Sequence, residues 1–137
     1  MESLVTHHLF NGFYNNKTVL VTGDTGFKGS WLTLWLTLLG AKVIGFSLDE
    51  EISNPSHHQL LNLSYTNYKG HIQNINEIDQ VIKKHQPEII FHLAAQSLVR
   101  KSYDNPIDTF QTNINGTINL LESVRKNLSS CVFINVT

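Results

Sequence analysis

Cysteine is almost absent from this sequence: Cys131 is the single one among 137 residues. One thiol cannot close an internal disulfide, which excludes a disulfide-stapled secreted fold and suits a reducing cytoplasm. Because Cys131 stands in an apolar run, we expect a packed side chain rather than a reactive thiol. The first ten residues contain no Lys or Arg and no long apolar stretch. No secretory signal is therefore predicted, and the expected location is cytoplasmic.

Charges and long hydrophobic runs are also scarce. Charged residues make up 15% of the chain and the formal net charge is -1, so no global field attracts nucleic acid or an anionic membrane surface. The longest apolar tract, residues 31–39, is interrupted by two threonines and is too short to cross a bilayer. Seven histidines are present, but no two of them share a helix face at i, i+4 spacing beside a carboxylate. No metal site is therefore predicted.

The hydrophobic residues, 41% of the chain, are arranged in short segments of two kinds. Continuous apolar or β-branched runs predict strands, whereas apolar residues three and four positions apart predict helices. Asn105 and Pro106 are typical of a helix start and Gly40 of a helix end. The predicted strands are 17–22, 42–47, 70–72, 88–94 and 131–136, and the predicted helices are 27–39, 76–85 and 105–124, with a short helix and loops in the polar segment 53–68.

Strands that alternate with helices and are apolar throughout indicate a parallel sheet covered on both faces. The expected fold class is therefore α/β, a doubly wound Rossmann fold with strand order 3-2-1-4-5, which the chain leaves inside or just after the fifth strand. Residues 1–16 are interpreted as a polar lead-in and residues 17–137 as one incomplete domain. Since this length is short for an enzyme with two substrates, we expect a substrate domain to be missing.

A glycine-rich turn lies between the first predicted strand and the first predicted helix. Gly23 permits a tight turn, Gly26 lets the backbone approach a diphosphate, and Gly29 lets the helix pack closely on the strand. Backbone N–H groups at the positive end of the helix dipole then face the diphosphate. Three glycines in this strand–turn–helix context predict a dinucleotide-binding site.

Asp49 follows the second predicted strand, 20 residues beyond Gly29. A carboxylate at this point accepts hydrogen bonds from the adenosine ribose and repels a 2′-phosphate. No Lys or Arg follows before Lys69, so the predicted cofactor is NAD rather than NADP. A solvated acidic turn is the alternative interpretation of Asp49, because Glu50 and Glu51 come next.

The spacing Gly-x-x-Gly-x-x-Gly resembles that of the extended short-chain dehydrogenase/reductase superfamily of NAD-dependent epimerases and dehydratases. Within it, TGFKGSWL at residues 25–32 resembles the CDP-glucose 4,6-dehydratases. Related dTDP-glucose dehydratases and UDP-sugar epimerases usually have an aliphatic residue where Lys28 stands. FHLAAQSLVR at residues 91–100 and TNINGT at residues 112–117 resemble the same group. The similarity extends from about residue 17 to residue 137.

This resemblance implies roles for individual residues. Asn74 stands where the family usually has an aspartate on the adenine, and an amide oxygen can still accept that hydrogen bond. Ser97, in place of a common proline, and Arg100 are implied substrate contacts, with a surface salt bridge as the alternative for Arg100. Asn113 is implied to lie near the cofactor, with an ordinary polar helix position as the alternative. The implied cofactor-binding residues are Gly23, Thr25, Gly26, Phe27, Lys28 and Gly29 at the diphosphate, Asp49 at the ribose, Asn74 and Ile75 at the adenine, Leu93, Ala94, Ala95 and Gln96 at the nicotinamide, and Asn113.

The resemblance also implies an activity for the whole protein. Hydride would pass from C4 of CDP-glucose to bound NAD, water would leave across C5–C6, and the hydride would return to C6. The net reaction is that of a lyase in nucleotide-sugar metabolism and polysaccharide biosynthesis. The family's Ser/Thr, its tyrosine base and the lysine that lowers the tyrosine pKa are expected beyond Thr137. The 137-residue chain by itself is therefore expected to be inactive.

Two alternatives to the dehydratase stay open: an epimerase of the same superfamily, and a non-catalytic NAD-binding remnant. Tyr65 and Lys69 also fit Tyr-x-x-x-Lys spacing, but they precede the third predicted strand, away from the expected nicotinamide, and are not assigned as a catalytic pair. The family commonly forms homodimers through helices that include residues 105–124. The expected partners are therefore a nucleotide-sugar substrate and a second copy, with neither nucleic acid nor membrane.

Overall fold

The computed structural model describes residues 9–49 and 53–136. Residues 50–52, Thr137 and the first half of the predicted lead-in, residues 1–8, lie outside it. Strands and helices alternate along the described chain. In chain order the elements are a 3₁₀ turn (Leu9–Gly12), β1 (Thr18–Thr22), α1 (Phe27–Leu38), β2 (Lys42–Ser47), α2 (His57–Leu61), β3 (Thr66–Lys69), α3 (Ile75–His85), β4 (Ile89–His92), α4 (Val99–Asp104), α5 (Pro106–Phe110), a π-helical turn (Gln111–Asn115), α6 (Gly116–Asn127) and β5 (Val132–Asn135).

The five strands form one parallel sheet with the order β3-β2-β1-β4-β5. β1 lies at the centre, with Val19 beside Val43 of β2 on one side and Ile89 of β4 on the other. The predicted α/β class and strand order are thus confirmed. Since the order reverses between β1 and β4, a crevice opens at the carboxyl ends of these two strands, where doubly wound folds bind their ligands.

Each face of the sheet has its own hydrophobic core. Successive side chains of a strand point to opposite faces, so neighbouring residues of β1 belong to different clusters. Val19 and Val21 pack with Leu36 of α1, whereas Leu20 packs with the α3 and α6 side chains, including Leu120. Burial of one such side chain stabilises the fold by about 1.5–3 kcal/mol. The two clusters therefore fix β1, and with it the turn that follows, from both sides.

The described part of the lead-in packs on the domain. The ring of Phe10 lies 5.8 Å from that of Trp35 in α1 and 5.7 Å from that of Tyr14, between centroids. The backbone N–H of Asn16 donates to the carbonyl of Gly40 at 2.8 Å. These aromatic and backbone contacts attach residues 9–16 to α1 and to Gly40 after it. The interpretation of this segment as a polar lead-in did not predict such packing.

The third strand lies earlier in the chain than predicted. The sequence favoured residues 70–72, but β3 is Thr66–Lys69. The strand is Thr-Asn-Tyr-Lys and has no apolar run that could predict it, and the Asn67 side chain donates a hydrogen bond to Asp24 inside the fold. Ile72, which favoured the later strand, belongs to the core on the α3–α6 side instead.

The helix predicted over residues 105–124 is divided into α5, the π-helical turn and α6. Its start is as predicted, since Asn105 Oδ1 accepts a hydrogen bond from the N–H of Asp108 at 3.3 Å and Pro106 follows the cap. A Cβ at Gly116 would lie 2.6 Å from Cγ2 of Ile72, so a glycine permits close packing here. The short helix α4 before it was not predicted.

Other boundaries differ from the predictions by one to three residues, and the largest difference is at the end of α6, which is Asn127 where 124 was predicted. β4 and β5 are shorter than the predicted 88–94 and 131–136, α3 begins one residue before 76, and α1 ends at Leu38. The thiol of Cys131, just before β5, is partly buried, and this burial raises its pKa. Within residues 9–49 and 53–136, no helix combines the length and the apolar character that a membrane crossing requires.

Candidate functional site

The glycine turn after β1 contacts the loop after β4. Gly23 has a φ of +74°, a left-handed conformation that glycine adopts without steric cost. A Cβ at Gly23 would lie 2.8 Å from the backbone nitrogen of Ala94, so a side chain there would separate the two loops. They meet at the carboxyl ends of β1 and β4, in the crevice where the strand order reverses.

The start of α1 has the features of an anion site. A Cβ at Gly29 would lie 2.0 Å from the carbonyl oxygen of Gly23, so the first turn of α1 packs on the loop only because residue 29 is glycine. Gly26 is the N-cap, and no side chain caps the helix. The first N–H groups of α1 therefore retain their hydrogen-bonding capacity at the positive end of the helix dipole. This donor set fits a diphosphate.

The other predicted residues of the nucleotide site lie at the open side of this turn. The side chain of Phe27 is 70% exposed, Lys28 is also exposed and Thr25 is partly buried. In the part of the chain that the structure describes, the Lys28 ammonium has no ion-pair partner. Asp49 is exposed two residues beyond the end of β2, at the same edge of the sheet. Its carboxylate is thus accessible to solvent and to a ligand.

The loop after β4 is attached to the end of β1 through Thr22. The N–H of Leu93 donates to the carbonyl oxygen of Thr22 at 3.1 Å. The N–H of Ala94 donates to the Thr22 hydroxyl oxygen at 3.2 Å. Ala94 is partly buried and Ala95 is exposed, and both side chains beside the glycine turn are small.

A buried histidine at the end of β4 connects β1 to α6. His92 is 3% exposed, with Nδ1 2.6 Å from Thr22 Oγ1 and Nε2 3.0 Å from Thr117 Oγ1. The Thr117 hydroxyl donates to the carbonyl of Asn113 at 2.8 Å, so it accepts from His92 Nε2, and Nδ1 accepts from Thr22. In the neutral ring the proton is therefore on Nε2. Burial lowers the His92 pKa to about 4.

Protonation of His92 is expected to destabilise the protein in mild acid. The unfolded chain binds this proton near pH 6.5 and the folded chain only near pH 4. The stability that depends on a neutral His92 is therefore fully present above pH 6.5 and is lost as the pH falls towards 4. The whole pKa shift corresponds to a loss of about 3 kcal/mol in the free energy of unfolding. Urea unfolding between pH 4 and 7.5 measures the loss. His92→Gln removes the titrating group and should flatten this window; an identical pH profile in the variant would contradict the assignment.

Asn113 fixes the backbone of Gln96 with both ends of its amide. Its Oδ1 accepts from the N–H of Gln96 at 2.8 Å, and its Nδ2 donates to the carbonyl of Gln96 at 3.0 Å. The Gln96 side chain in turn donates to Thr109 Oγ1 at 3.0 Å. Asn113 lies in the π-helical turn, a local widening that is frequent at functional sites. Its amide is thus occupied by the loop after β4, and any influence on a ligand passes through Gln96.

Asn74 and Ile75 lie at the start of α3, at the β3 end of the same edge. The Oδ1 of Asn74 accepts from the N–H of Asn76 at 3.2 Å, and its Nδ2 donates to Glu77 Oε1 at 2.9 Å. Asn74 is therefore the N-cap of α3, a role that asparagine commonly has. The second lone pair of Asn74 Oδ1 stays available for a hydrogen bond from an adenine amino group.

The two predicted substrate contacts lie around the start of α4. Ser97 precedes α4 and Arg100 is in its first turn, and both are exposed. Among residues 9–49 and 53–136, the Arg100 guanidinium forms no ion pair. The surface salt bridge considered for it is thus absent from that part of the chain, and its charge is accessible to an anionic ligand.

Sequence reasoning missed two buried polar groups beside the crevice. Asp24 lies within the glycine turn and is fully buried, and Tyr65 donates a hydrogen bond to its carboxyl group. His92 was assigned only to an apolar strand. In both cases the one feature of the sequence that could have indicated the group was a single polar residue within a glycine-rich or apolar motif. No group of three His, Cys, Asp or Glu side chains that could hold a metal ion occurs in the described ranges.

Comparison with known proteins identifies relatives for most of the chain. The family model of GDP-mannose 4,6 dehydratase matches residues 20–137. The chain is 44% identical over 127 residues to the CDP-glucose 4,6-dehydratase of Salmonella typhimurium, covering 91% of this chain and 35% of that protein. It is 37% identical to the CDP-paratose 2-epimerase of Salmonella typhi, covering 82% of this chain and 34% of that protein. The chain thus spans about a third of the length of these curated relatives.

Solved structures have the same fold. An epimerase from Methanothermobacter thermautotrophicus matches with a TM-score of 0.76 at 30% identity, covering 89% of this chain and 36% of that one. The UDP-glucose 4-epimerase of Thermus thermophilus, solved in complex with NAD, matches with a TM-score of 0.68 at 27% identity, covering 80% and 34%. The resemblance recognised in the glycine motif is confirmed. The chain belongs to the GDP-mannose 4,6 dehydratase family, among the nucleotide-sugar dehydratases and epimerases of the extended short-chain dehydrogenase/reductase type.

Proposed function

We propose that this chain is the NAD-binding part of a nucleotide-sugar 4,6-dehydratase that converts CDP-glucose to CDP-4-keto-6-deoxyglucose. The observation that carries the proposal is the uncapped start of α1, packed through Gly23 and Gly29 against its neighbouring loops. A glycine cradle with free N–H groups at a strand-order reversal fits the diphosphate of a dinucleotide. The 44% identity with a CDP-glucose 4,6-dehydratase supports the choice of substrate.

The proposed contacts follow the carboxyl edge of the sheet from β3 to β4. The β1–α1 turn holds the diphosphate, with the adenosine on the β2–β3 side and the nicotinamide on the β4 side. Asn113 acts on the nicotinamide side by holding Gln96. The exposed Arg100, with Ser97 near it, faces the nucleotide-sugar phosphates. The proposed cofactor contacts are Gly23, Thr25, Gly26, Phe27, Lys28, Gly29, Asp49, Asn74, Ile75, Leu93, Ala94, Ala95 and Gln96.

Bound NAD would supply a reversible hydride acceptor. In the proposed reaction, oxidation at C4 of the glucosyl unit acidifies the hydrogen at C5, water leaves across C5–C6, and the hydride ends at C6. In these reaction steps the residues of this chain bind and orient the cofactor and the nucleotide sugar. We place the acid–base groups in the two thirds of the dehydratase relative that this chain does not cover.

Isotope transfer in the full-length natural protein tests the reaction class. CDP-glucose with deuterium at C4 is supplied, and the product is analysed by mass spectrometry and NMR. The dehydratase is expected to release a product lighter by one water, with deuterium at C6. The epimerase alternative, favoured by the 37% identity with CDP-paratose 2-epimerase, would leave the sugar mass unchanged. Turnover of dTDP-glucose or GDP-mannose but not CDP-glucose would contradict the substrate, and no turnover at all would favour the non-catalytic remnant.

We also propose that the complete protein forms a homodimer through α5, the π-helical turn and α6. Ile107, Phe110, Ile114 and Ile118 are each more than half exposed and follow one another at three- and four-residue steps. An exposed apolar stripe of this kind is typical of an interface between proteins. Light scattering on the full-length protein is expected to give twice the chain mass. A monomer at micromolar concentration would contradict the homodimer.

A further inference from the structure

A carboxyl group is buried beneath the diphosphate turn. Asp24 is the second residue of the turn and its side chain is fully buried. A Cβ at Gly45 of β2 would lie 2.2 Å from Asp24 Oδ2, so β2 has a glycine at the place that the carboxyl group occupies. A Cβ at Gly29 would lie 2.8 Å from the Asp24 Cα. The two positions that pack against Asp24 from β2 and from α1 are thus both glycine, which leaves room for its side chain.

Two donors hold one oxygen of this carboxyl group. Asp24 Oδ2 accepts hydrogen bonds from Tyr65 Oη and from Asn67 Nδ2, the latter at 2.5 Å. Tyr65 directly precedes β3 and Asn67 lies within it. Because β3 is the edge strand and β1 is central, these bonds tie the turn to a strand two positions away. The shape of the turn therefore depends on contacts that lie outside the glycine motif.

The other carboxyl oxygen has no well-formed hydrogen bond. Asp24 Oδ1 and Ser47 Oγ are both buried without such a partner in the described part of the chain, although the Ser47 hydroxyl lies close enough to the carboxyl group to lower its pKa. Burial raises the pKa of Asp24, and the hydrogen bond from Tyr65 is the largest opposing influence. The ionisable groups next to the carboxyl are Tyr65 and, behind it, His58, whose Nδ1 lies 3.4 Å from Tyr65 Oη. No cation among the described residues pairs with Asp24.

We propose that Asp24 is a positioning residue for the cofactor, which in its neutral form holds the glycine turn in the diphosphate-binding shape and on ionisation weakens binding by placing a negative charge beneath the diphosphate. The inference rests on the proposed binding of NAD at this turn. The surroundings favour a neutral acid, because the carboxyl group is fully buried and no cation among the described residues pairs with it.

The pH dependence of NAD affinity separates this role from a purely structural one. Kd for NAD is measured by calorimetry from pH 4.5 to 8 on the full-length protein, as wild type, Asp24→Asn and Asp24→Ala. Asparagine has the shape of the neutral acid and keeps an acceptor for Tyr65 and Asn67. The wild type is expected to lose affinity about fivefold as Asp24 ionises, and Asp24→Asn to lack that loss. Asp24→Ala should bind about tenfold more weakly at every pH.

Two more variants sharpen the comparison. Tyr65→Phe removes the hydrogen bond that favours the charged form, so the loss of affinity should move to higher pH. Asp79→Asn is the matched control, since Asp79 also accepts from Ser123 at 2.8 Å and Asn127 at 2.6 Å, but between α3 and α6. It should lower stability and leave the pH profile of NAD binding as in the wild type.

The outcomes distinguish this inference from the proposed function. If the wild type and Asp24→Asn both bind NAD with the same pH profile, the positioning role is overturned and the proposed function stands. If the wild type binds no NAD at any pH, the proposed function fails, and this inference fails with it.

Discussion

Alanine in place of Gly29 is expected to abolish NAD binding and to lower the free energy of unfolding by about 2 kcal/mol or more. The new Cβ would lie 2.0 Å from the Gly23 carbonyl oxygen, which is backbone and moves only if the turn opens. Overpacking costs about 1–3 kcal/mol even where side chains can yield. The higher helix propensity of alanine, about 1 kcal/mol, offsets only part of this. Calorimetry with NAD and urea unfolding measure the two effects.

Gly26→Ala is the matched control for this substitution. Its Cβ would lie 3.2 Å from the same Gly23 oxygen, so a shift of a few tenths of an ångström relieves the contact. We expect this variant to keep its fold and to bind NAD with reduced affinity. Wild-type affinity and stability in Gly29→Ala would show that the turn is not the rigid cradle described above.

Asn113→Ala is expected to weaken NAD binding on the order of thirtyfold while the affinity for ADP-ribose stays within about twofold. The substitution removes both hydrogen bonds to the Gln96 backbone, each of which contributes about 1 kcal/mol. ADP-ribose has the adenosine and diphosphate but no nicotinamide, so it does not need the loop after β4 in place. Gly29→Ala, in contrast, should weaken both ligands, because the diphosphate is common to them.

Asn115→Ala provides the control for Asn113, since it changes an exposed asparagine of the same π-helical turn. We expect it to bind NAD and ADP-ribose as the wild type does. Equal losses for NAD and ADP-ribose in Asn113→Ala would mean that Asn113 supports the whole site and not its nicotinamide side.

The sheet and the glycine turn could be predicted from the sequence because their determinants are local. β1 is a continuous apolar run that ends at Gly23, and such runs alternating with helices specify a parallel order. The roles of Gly23 and Gly29 follow from backbone geometry that a short motif encodes. Asn105 and Pro106 likewise predicted a helix start that the structure contains.

The features that escaped prediction depend on partners distant in the chain. Asn67 is polar in a strand because it bonds to Asp24, 43 residues away, and periodicity cannot register such a contact. His92 looked like one polar residue in an apolar strand, although its partners Thr22 and Thr117 make it the link between β1 and α6. Tertiary hydrogen bonds thus decided both the position of β3 and the buried part of the site.

The π-helical turn is a further feature without a local signal. The apolar spacing over residues 105–124 predicted one continuous helix and did not reveal the widened turn. In the structure Asn113 within the turn reaches Gln96, and Thr117 just after it reaches His92. Sequence comparison implied that Asn113 lies near the cofactor, but not that its amide is occupied by a loop backbone.

Titration of NAD and NADP into the full-length wild-type protein tests the central claim most directly. We predict one NAD per chain, bound at least about tenfold more tightly than NADP, because the role proposed for the exposed Asp49 at the edge of the sheet is to accept ribose hydroxyl groups and to repel a 2′-phosphate. No binding of NAD at millimolar concentration, or tighter binding of NADP, would contradict it.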